Sequence, residues 1–187
     1  MEKATIGKDL EICRILNGMW QVAGGHGQID SKLAIQDMQK YQESGFTTWD
    51  LADIYGPAES LIGDFSEKVE QDVQAFTKFV PNPGPMSNSI VTYYIDESLK
   101  KMNVDCIDLL QFHWWDYQDS NYINALQHLS KLQEDGKIKN LSTLLKPFQI
   151  DAPNFQPISI TASAKGSLKF TEYFIGNSLL EYMFSPI

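Results

Sequence analysis

The stretch "GFTTWDLADIYGPAESLIGDFSEKV", Gly45 to Val69, decides how this chain folds. "FTTWD" is rich in β-branched and aromatic residues and reads as a strand. The Gly56-Pro57 break closes a short loop, and "ESLIGDFSEKV" reads as a modest helix. The result is one βα unit with Asp50, Asp53 and Tyr55 at its joint, and the same unit recurs on both sides. Upstream, a short hairpin is expected around Leu10 to Ile15, followed by a strand "ILNGMWQV". A helix "SKLAIQDMQKYQES" then starts at a Ser31 cap, carries Ala34, Met38 and Tyr41 at helical spacing, and ends at Gly45. Downstream, "VQAFTKF" is a strand, and Val91, Tyr94, Ile95, Ser98, Leu99 and Met102 mark the inner face of a helix. "CIDLLQFH" is a nearly continuous apolar strand of the kind a parallel sheet buries on both faces. Tyr122, Ala125, Leu126, Leu129 and Leu132 line the next helix, which Asp135-Gly136 stops before the strand "KIKNLS".

Five strands alternating with four helices call for a parallel sheet with helical crossovers, either doubly wound or a (β/α) barrel. A dinucleotide fold requires G-x-G-x-x-G directly after its first strand. "AGGHGQ" places Gly24, Gly25 and Gly27 out of that spacing, which makes it a flexible loop and favours the barrel.

Composition limits the function classes. The 187 residues, 43% hydrophobic and 12% aromatic, suffice for one domain with a real core. A net charge of −9 and a pI near 4.7 argue against nucleic-acid and anionic-membrane partners. Cys13 and Cys106, the only cysteines, lie in apolar sequence and read as two buried free thiols rather than a disulfide or a metal pair. No metal site is expected. The N-terminus "MEKATIGKDLEIC" has neither a signal core nor a transit pattern, and no stretch stays apolar for the roughly 20 residues of a membrane span. A soluble, cytoplasmic protein is the expectation, with plastid targeting left to a longer form carrying a presequence.

In parallel α/β folds the working side chains gather at the carboxyl ends of strands. Asp50, Lys78 and His113 occupy those ends in consecutive units, and Tyr55 lies in the loop after Asp50. Singly, each has an ordinary structural role as a turn cap, a packing residue, a solvated strand end or a core histidine. As a set they have a chemical one. A buried Lys78 paired to Asp50 would stay charged, and its ammonium would draw the Tyr55 phenol, ordinarily about 10, down toward proton transfer. Tyr55 is then a general acid, and His113 orients a substrate carbonyl and stabilises its developing charge. No side chain delivers a hydride, so the set implies a nicotinamide cofactor.

The segments "LNGMWQ", "GFTTWDLADIYGPAESLIG", "FTKF", "LKKMNVDCIDLLQFHWWD" and "LQEDGKIKNLS" carry a resemblance covering most of residues 10–142. The D-x-A-x-x-Y-G spacing from Asp50 to Gly56, the T-K strand end and the D-x-x-D-L-L-x-x-H run closing on His113 resemble the aldo-keto reductase superfamily of NADP-dependent (β/α)8 barrels. The resemblance implies Asp50, Tyr55, Lys78 and His113 as catalytic residues and NADPH as cofactor. It places Gly18, Met19, Asp50 and Ser142 at the cofactor. Trp20, Tyr55 and Trp114 would face a small-molecule carbonyl substrate, although core packing is an equal reading for the two tryptophans. Asp53 reads as a turn residue.

After Ser142 the pattern stops, and Thr143 stands where an asparagine is expected to hold the carboxamide. The expectation is a TIM-type barrel truncated after its fifth strand, formed by residues 1–142. Residues 143–187 form a tail of no matching pattern, in which Lys146, Lys165 and Lys169 are solvated charges. Losing three strands would leave the first and fifth with unpaired edges. Two functions follow: an NADP-dependent reductase of an aldehyde or ketone, or a non-catalytic truncated product or binding protein without a cofactor phosphate site. Oligomeric state stays open.

Overall fold

The computed structural model describes residues 1–6, 10–24, 27–116, 118–145, 160–162 and 168–170. The chain opens on an antiparallel hairpin, β1 (Lys3–Ile6) with β2 (Leu10–Cys13). Five parallel strands follow: β3 (Asn17–Gly18), β4 (Thr48–Asp50), β5 (Gln74–Phe79), β6 (Ile107–Trp114) and β7 (Ile138–Leu145). Helices α1 (Ser31–Glu43), α2 (Ala58–Ser66), α3 (Asn88–Met102) and α4 (Asn121–Glu134) connect them in turn. Strand order in the sheet equals chain order, as in consecutive staves of a (β/α) barrel. Two three-residue strands, β8 (Ile160–Ala162) and β9 (Leu168–Phe170), pair with each other antiparallel. Among the described residues, β3 and β7 each have one hydrogen-bonded neighbour in the five-stranded sheet. Lys146 and Lys165 lie outside the described residues.

Alternation along the strands divides the interior. Ala75 of β5 and Trp49 of β4 face outward into a core with Ile35 and Met38 of α1 and Leu61, Ile62 and Phe65 of α2. Leu110, Phe112 and Trp114 of β6 do the same toward α3 and α4, meeting Val91, Ile95, Ala125 and Leu129. The opposite, inner face is closed at one end by the hairpin, where Leu10 and Ile12 pack on Phe76 and Leu109. Each such fully buried side chain contributes about 1.5–3 kcal/mol through removal from water, so the outward clusters fix the sheet and leave the far end of the inner face for polar residues.

Several local expectations are corrected. The strand expected over "ILNGMWQV" is only Asn17–Gly18, and Met19–Ala23 forms a 3-10 turn. The Asn17 amide explains the change, because it donates to the carbonyls of Phe46 and Thr48 and fixes the chain at the strand's end. Helix α1 is capped by Asp30 rather than Ser31, with the carboxylate accepting from the N–H groups of Lys32 and Leu33. Its buried face is Ile35, Met38 and Gln42, while Tyr41 is exposed. Gln42 can be buried because its amide donates to the Asp72 carbonyl. Tyr94 on α3 is likewise exposed, its ring tilted against that of Phe79. Of the two free thiols, Cys13 is buried and Cys106 is exposed. The helix ends at Gly45 and Gly136 are as expected, both glycines having positive φ. No helix among the described residues is long and apolar enough to cross a membrane.

Helices α2 and α3 touch at Gly63, where a side chain's first carbon would sit on the carbonyl oxygen of Lys101. Gly63→Ala must therefore separate the helices, and we expect a loss of about 2–3 kcal/mol in denaturant unfolding. An unchanged midpoint would show that the contact is loose.

Candidate active site

Three of the four expected reactive groups meet at the carboxyl ends of β4 and β5. Lys78, next to last in β5, points to the inner face, and its Nζ donates to Asp50 Oδ2 at 2.6 Å and to the Leu51 carbonyl at 2.8 Å. Side-chain exposure is 6% for Lys78 and 13% for Asp50, so this is a buried ion pair with little competition from water. Burial opposes both charges. It pulls the Lys78 ammonium below the ordinary lysine range despite Asp50, and lifts the Asp50 carboxyl above its ordinary value despite Lys78.

Tyr55 is brought back over the pair by a tight turn in which its N–H donates to the Ala52 carbonyl at 3.0 Å. The Lys78 Nζ stands 5.1 Å from the centre of the Tyr55 ring, a cation–π distance. This arrangement corrects the expected acidity. Burial first, and the nearby Asp50 carboxylate second, raise the Tyr55 phenol above its ordinary value.

His113 joins the group through strand register. Gln111 of β6 is the partner of Lys78, and His113 lies two residues further along the same face, toward the carboxyl end. Its ring stacks on Trp115 at 4.4 Å between centroids.

The remaining expected residues divide. Gly18 is the register partner of Asp50, and beyond its two chain neighbours no atom of the described residues lies within 4 Å of where a side chain would start, so the space beside the pair is open. Met19 turns away into the core under α1 and α2. Trp20 is 54% exposed and meets the Tyr55 ring edge-on at 5.0 Å, which suits a pocket wall. Trp114 does not reach this face. It is 1% exposed in the core beneath α3 and α4, and its indole N–H donates to the carbonyls of Asp116 and Asp119. The aromatic wall beside His113 is Trp115, which the sequence reading passed over. Strand alternation carried the signal, since residues 113 and 115 share a face and 114 takes the other. Ser142 pairs with Gln111, one step deeper than His113, whose partner is Leu144.

A nicotinamide dinucleotide offers sugar hydroxyl donors, and the inner face has a matching acceptor. Among the described residues, Asp50 Oδ1 is buried with no hydrogen-bond partner, as is Gln111 Oε1. A buried acceptor without a donor is costly, so Asp50 Oδ1 beside the open space at Gly18 fits a ribose hydroxyl.

The sequence profile of the aldo/keto reductase family matches residues 14–144. The chain belongs to the aldo/keto reductase family. Among curated relatives, this aldo/keto reductase chain is 26% identical over 169 residues to a putative aryl-alcohol dehydrogenase of Saccharomyces cerevisiae, covering 81% of the chain and 43% of that protein. It is 30% identical over 132 residues to norsolorinic acid reductase B of Aspergillus parasiticus, covering 62% of the chain and 34% of that protein. The chain thus spans less than half the length of these two relatives. Its fold matches a glycerol dehydrogenase of Gluconobacter oxydans with a TM-score of 0.66 at 22% identity, over 80% of the chain and 50% of that structure. The holo form of an aldo-keto reductase of Bacillus halodurans matches with a TM-score of 0.63 at 23% identity, over 77% of the chain and 51% of that structure. The α/β fold of a parallel sheet and four helices is therefore part of the family's barrel.

Asp53, between the two site residues of the loop, is more than a turn former. Both its carboxylate oxygens accept from the Val80 N–H, at 3.2 and 3.1 Å. Its pKa is pushed up to about 6, chiefly by burial, with Glu59 of α2 adding to the rise and the N–H groups of Val80 and Ile54 and the Lys101 ammonium of α3 opposing it. The folded state therefore holds this proton more tightly than the unfolded chain. The resulting stability is fully present below the unfolded value of 3.8 and is lost as pH rises through about 6. Asp53→Asn, which stays neutral and keeps an acceptor for Val80, should gain on the native protein across that window by up to about 3 kcal/mol before solvent screening. Denaturant midpoints at pH 4, 5, 6 and 7 check this, and a constant difference across the series would contradict it.

Proposed function

We propose that this chain carries the proton-delivery half of an NADPH-dependent reductase acting on a small-molecule aldehyde or ketone. The supporting observation is the buried Lys78–Asp50 pair, with the Tyr55 ring against its ammonium, at the carboxyl edge of a parallel sheet. When bound, the nicotinamide supplies the hydride that no side chain can.

The chain's own residues have separate tasks. Asp50 Oδ2 and the Leu51 carbonyl fix the Lys78 ammonium, while Asp50 Oδ1 offers an acceptor to a ribose hydroxyl. Gly18 leaves room for the nicotinamide beside them. The His113 imidazole holds the substrate carbonyl oxygen, and Tyr55 gives its phenolic proton to that oxygen as it becomes an alkoxide. The raised Tyr55 value keeps the phenol protonated and ready at neutral pH. Trp20 and Trp115, both half exposed, would press on a flat substrate from two sides, and the dehydrogenase name of the yeast relative makes an aryl aldehyde a suitable probe.

A second reading, a binding protein without turnover, is favoured by the direction of the same shift, because a phenol above its ordinary value is a weak acid. One pair of measurements separates the two. Quenching of indole fluorescence by NADPH reads cofactor binding, and oxidation of NADPH with an aryl aldehyde reads turnover. For the reductase, Tyr55→Phe should lower kcat by roughly 10²–10⁴-fold while leaving the NADPH Kd within about twofold. Turnover that survives the substitution would remove Tyr55 from the acid's role, and a native chain with neither turnover nor saturable quenching by NADPH would favour the second reading.

A further inference from the structure

The loop that carries Tyr55 is tied to the strand that carries Lys78 by a ladder longer than the strands themselves. Beyond the end of β4, the Leu51 N–H donates to the Phe76 carbonyl at 2.8 Å and the Asp53 N–H donates to the Lys78 carbonyl at 3.0 Å, continuing the parallel pairing by two rungs. The backbone then turns away through Ile54 to Tyr55. At the place of the next rung the donor is the Val80 N–H, and the acceptor is the Asp53 carboxylate. Asp53 thus grips β5 on both sides of Phe79, through its backbone before it and through its side chain after it.

The grip matters at Tyr55 because the intervening turn has little slack. Tyr55 N–H is bound to the Ala52 carbonyl, and Ala58 N–H is bound to the Tyr55 carbonyl, so α2 begins directly on this turn. The strand side is held independently, since Thr77 donates to the Glu59 carboxylate at 2.7 Å and Glu59 belongs to α2. Val80 is 7% exposed, and Pro81 and Pro83 follow it in the loop to α3. Without the Asp53 carboxylate the Val80 N–H would be a buried donor with no acceptor, and the segment just beyond Lys78 would lose its outermost tie to the turn that carries Tyr55.

We propose that Asp53 is a positioning residue of this site, its carboxylate supplying the last rung of the β4–β5 ladder and so holding Tyr55 at the distance from Lys78 that proton delivery requires. The inference rests on the reductase reading above. It adds a residue that touches neither substrate nor cofactor and acts through Val80 and the turn.

The experiment compares Asp53→Ala with Asp53→Asn, whose amide oxygen still accepts from Val80. With NADPH and an aryl aldehyde, Asp53→Ala should lower kcat by about 10-fold to 100-fold, as expected for sub-ångström displacement of an acid, and leave the NADPH Kd within about twofold. Asp53→Asn should recover at least half of the native kcat. Equal losses in both variants, or no loss in Asp53→Ala, would overturn the proposal. Amide hydrogen exchange reads the rung without turnover: Val80 N–H should exchange at least about tenfold faster in Asp53→Ala and keep its protection in Asp53→Asn. If the native chain shows no turnover, the reductase reading fails while the exchange data still decide whether Asp53 holds Val80. If Asp53→Ala does not fold, Asp53→Ser, too short to reach Val80, carries the same comparison.

Discussion

The rest of the site hangs on one buried ion pair, Lys78 Nζ with Asp50 Oδ2 at 2.6 Å. Neither charge would be tolerated alone in a setting so poor in water, so each residue fixes the other, and the two strands bearing them must keep their register. That register, Asp50 opposite Phe76, sets the turn that returns Tyr55 over the ammonium. The outward faces supply what makes the register rigid. Trp49 and Ala75 lie in a core with α1 and α2, and Leu110, Phe112 and Trp114 lie in one with α3 and α4, so a slip of one residue would drive apolar side chains onto the polar inner face.

Much of this was legible in the chain. The alternation of β-type and helical periodicity specified a parallel sheet, and the short run from Asp50 to Gly56 marked the strand end at which Asp50 and Tyr55 meet Lys78. Less legible were features that depend on more than one segment. Asn17 ends the first strand by reaching the carbonyls of Phe46 and Thr48, residues about thirty positions away, and no local pattern announces that. Gln42 takes a core place that a polar residue would not be given, because Asp72 answers its amide. The acidity of Tyr55 depends on more than one segment in the same way, because burial of the ring and the closeness of the Asp50 carboxylate, which raise it, follow from the turn and not from the spacing.

The two tryptophans after His113 show a local rule being enough when it is applied. On a pleated strand adjacent residues cannot both face the same side, so the histidine and its neighbour divide between inner face and core. Trp114 became a packing residue with its indole N–H satisfied by two carbonyls, and Trp115 took the place beside the imidazole. Asp53 was the opposite case. Its spacing suggests only a turn, and its reach to Val80 emerges from the ladder between two strands.

The order of strands has a consequence for how such a sheet comes into being. From β3 to β7 each strand lies beside the one made just before it, with a helix of nine to fifteen residues between them. As the chain leaves the ribosome, each new strand from β4 to β7 finds its preceding neighbour already made. Loop closure stays short throughout, which limits the entropy to be overcome at each addition. The two strands that carry the ion pair, β4 and β5, are neighbours in chain order and both precede β6, the strand that bears His113.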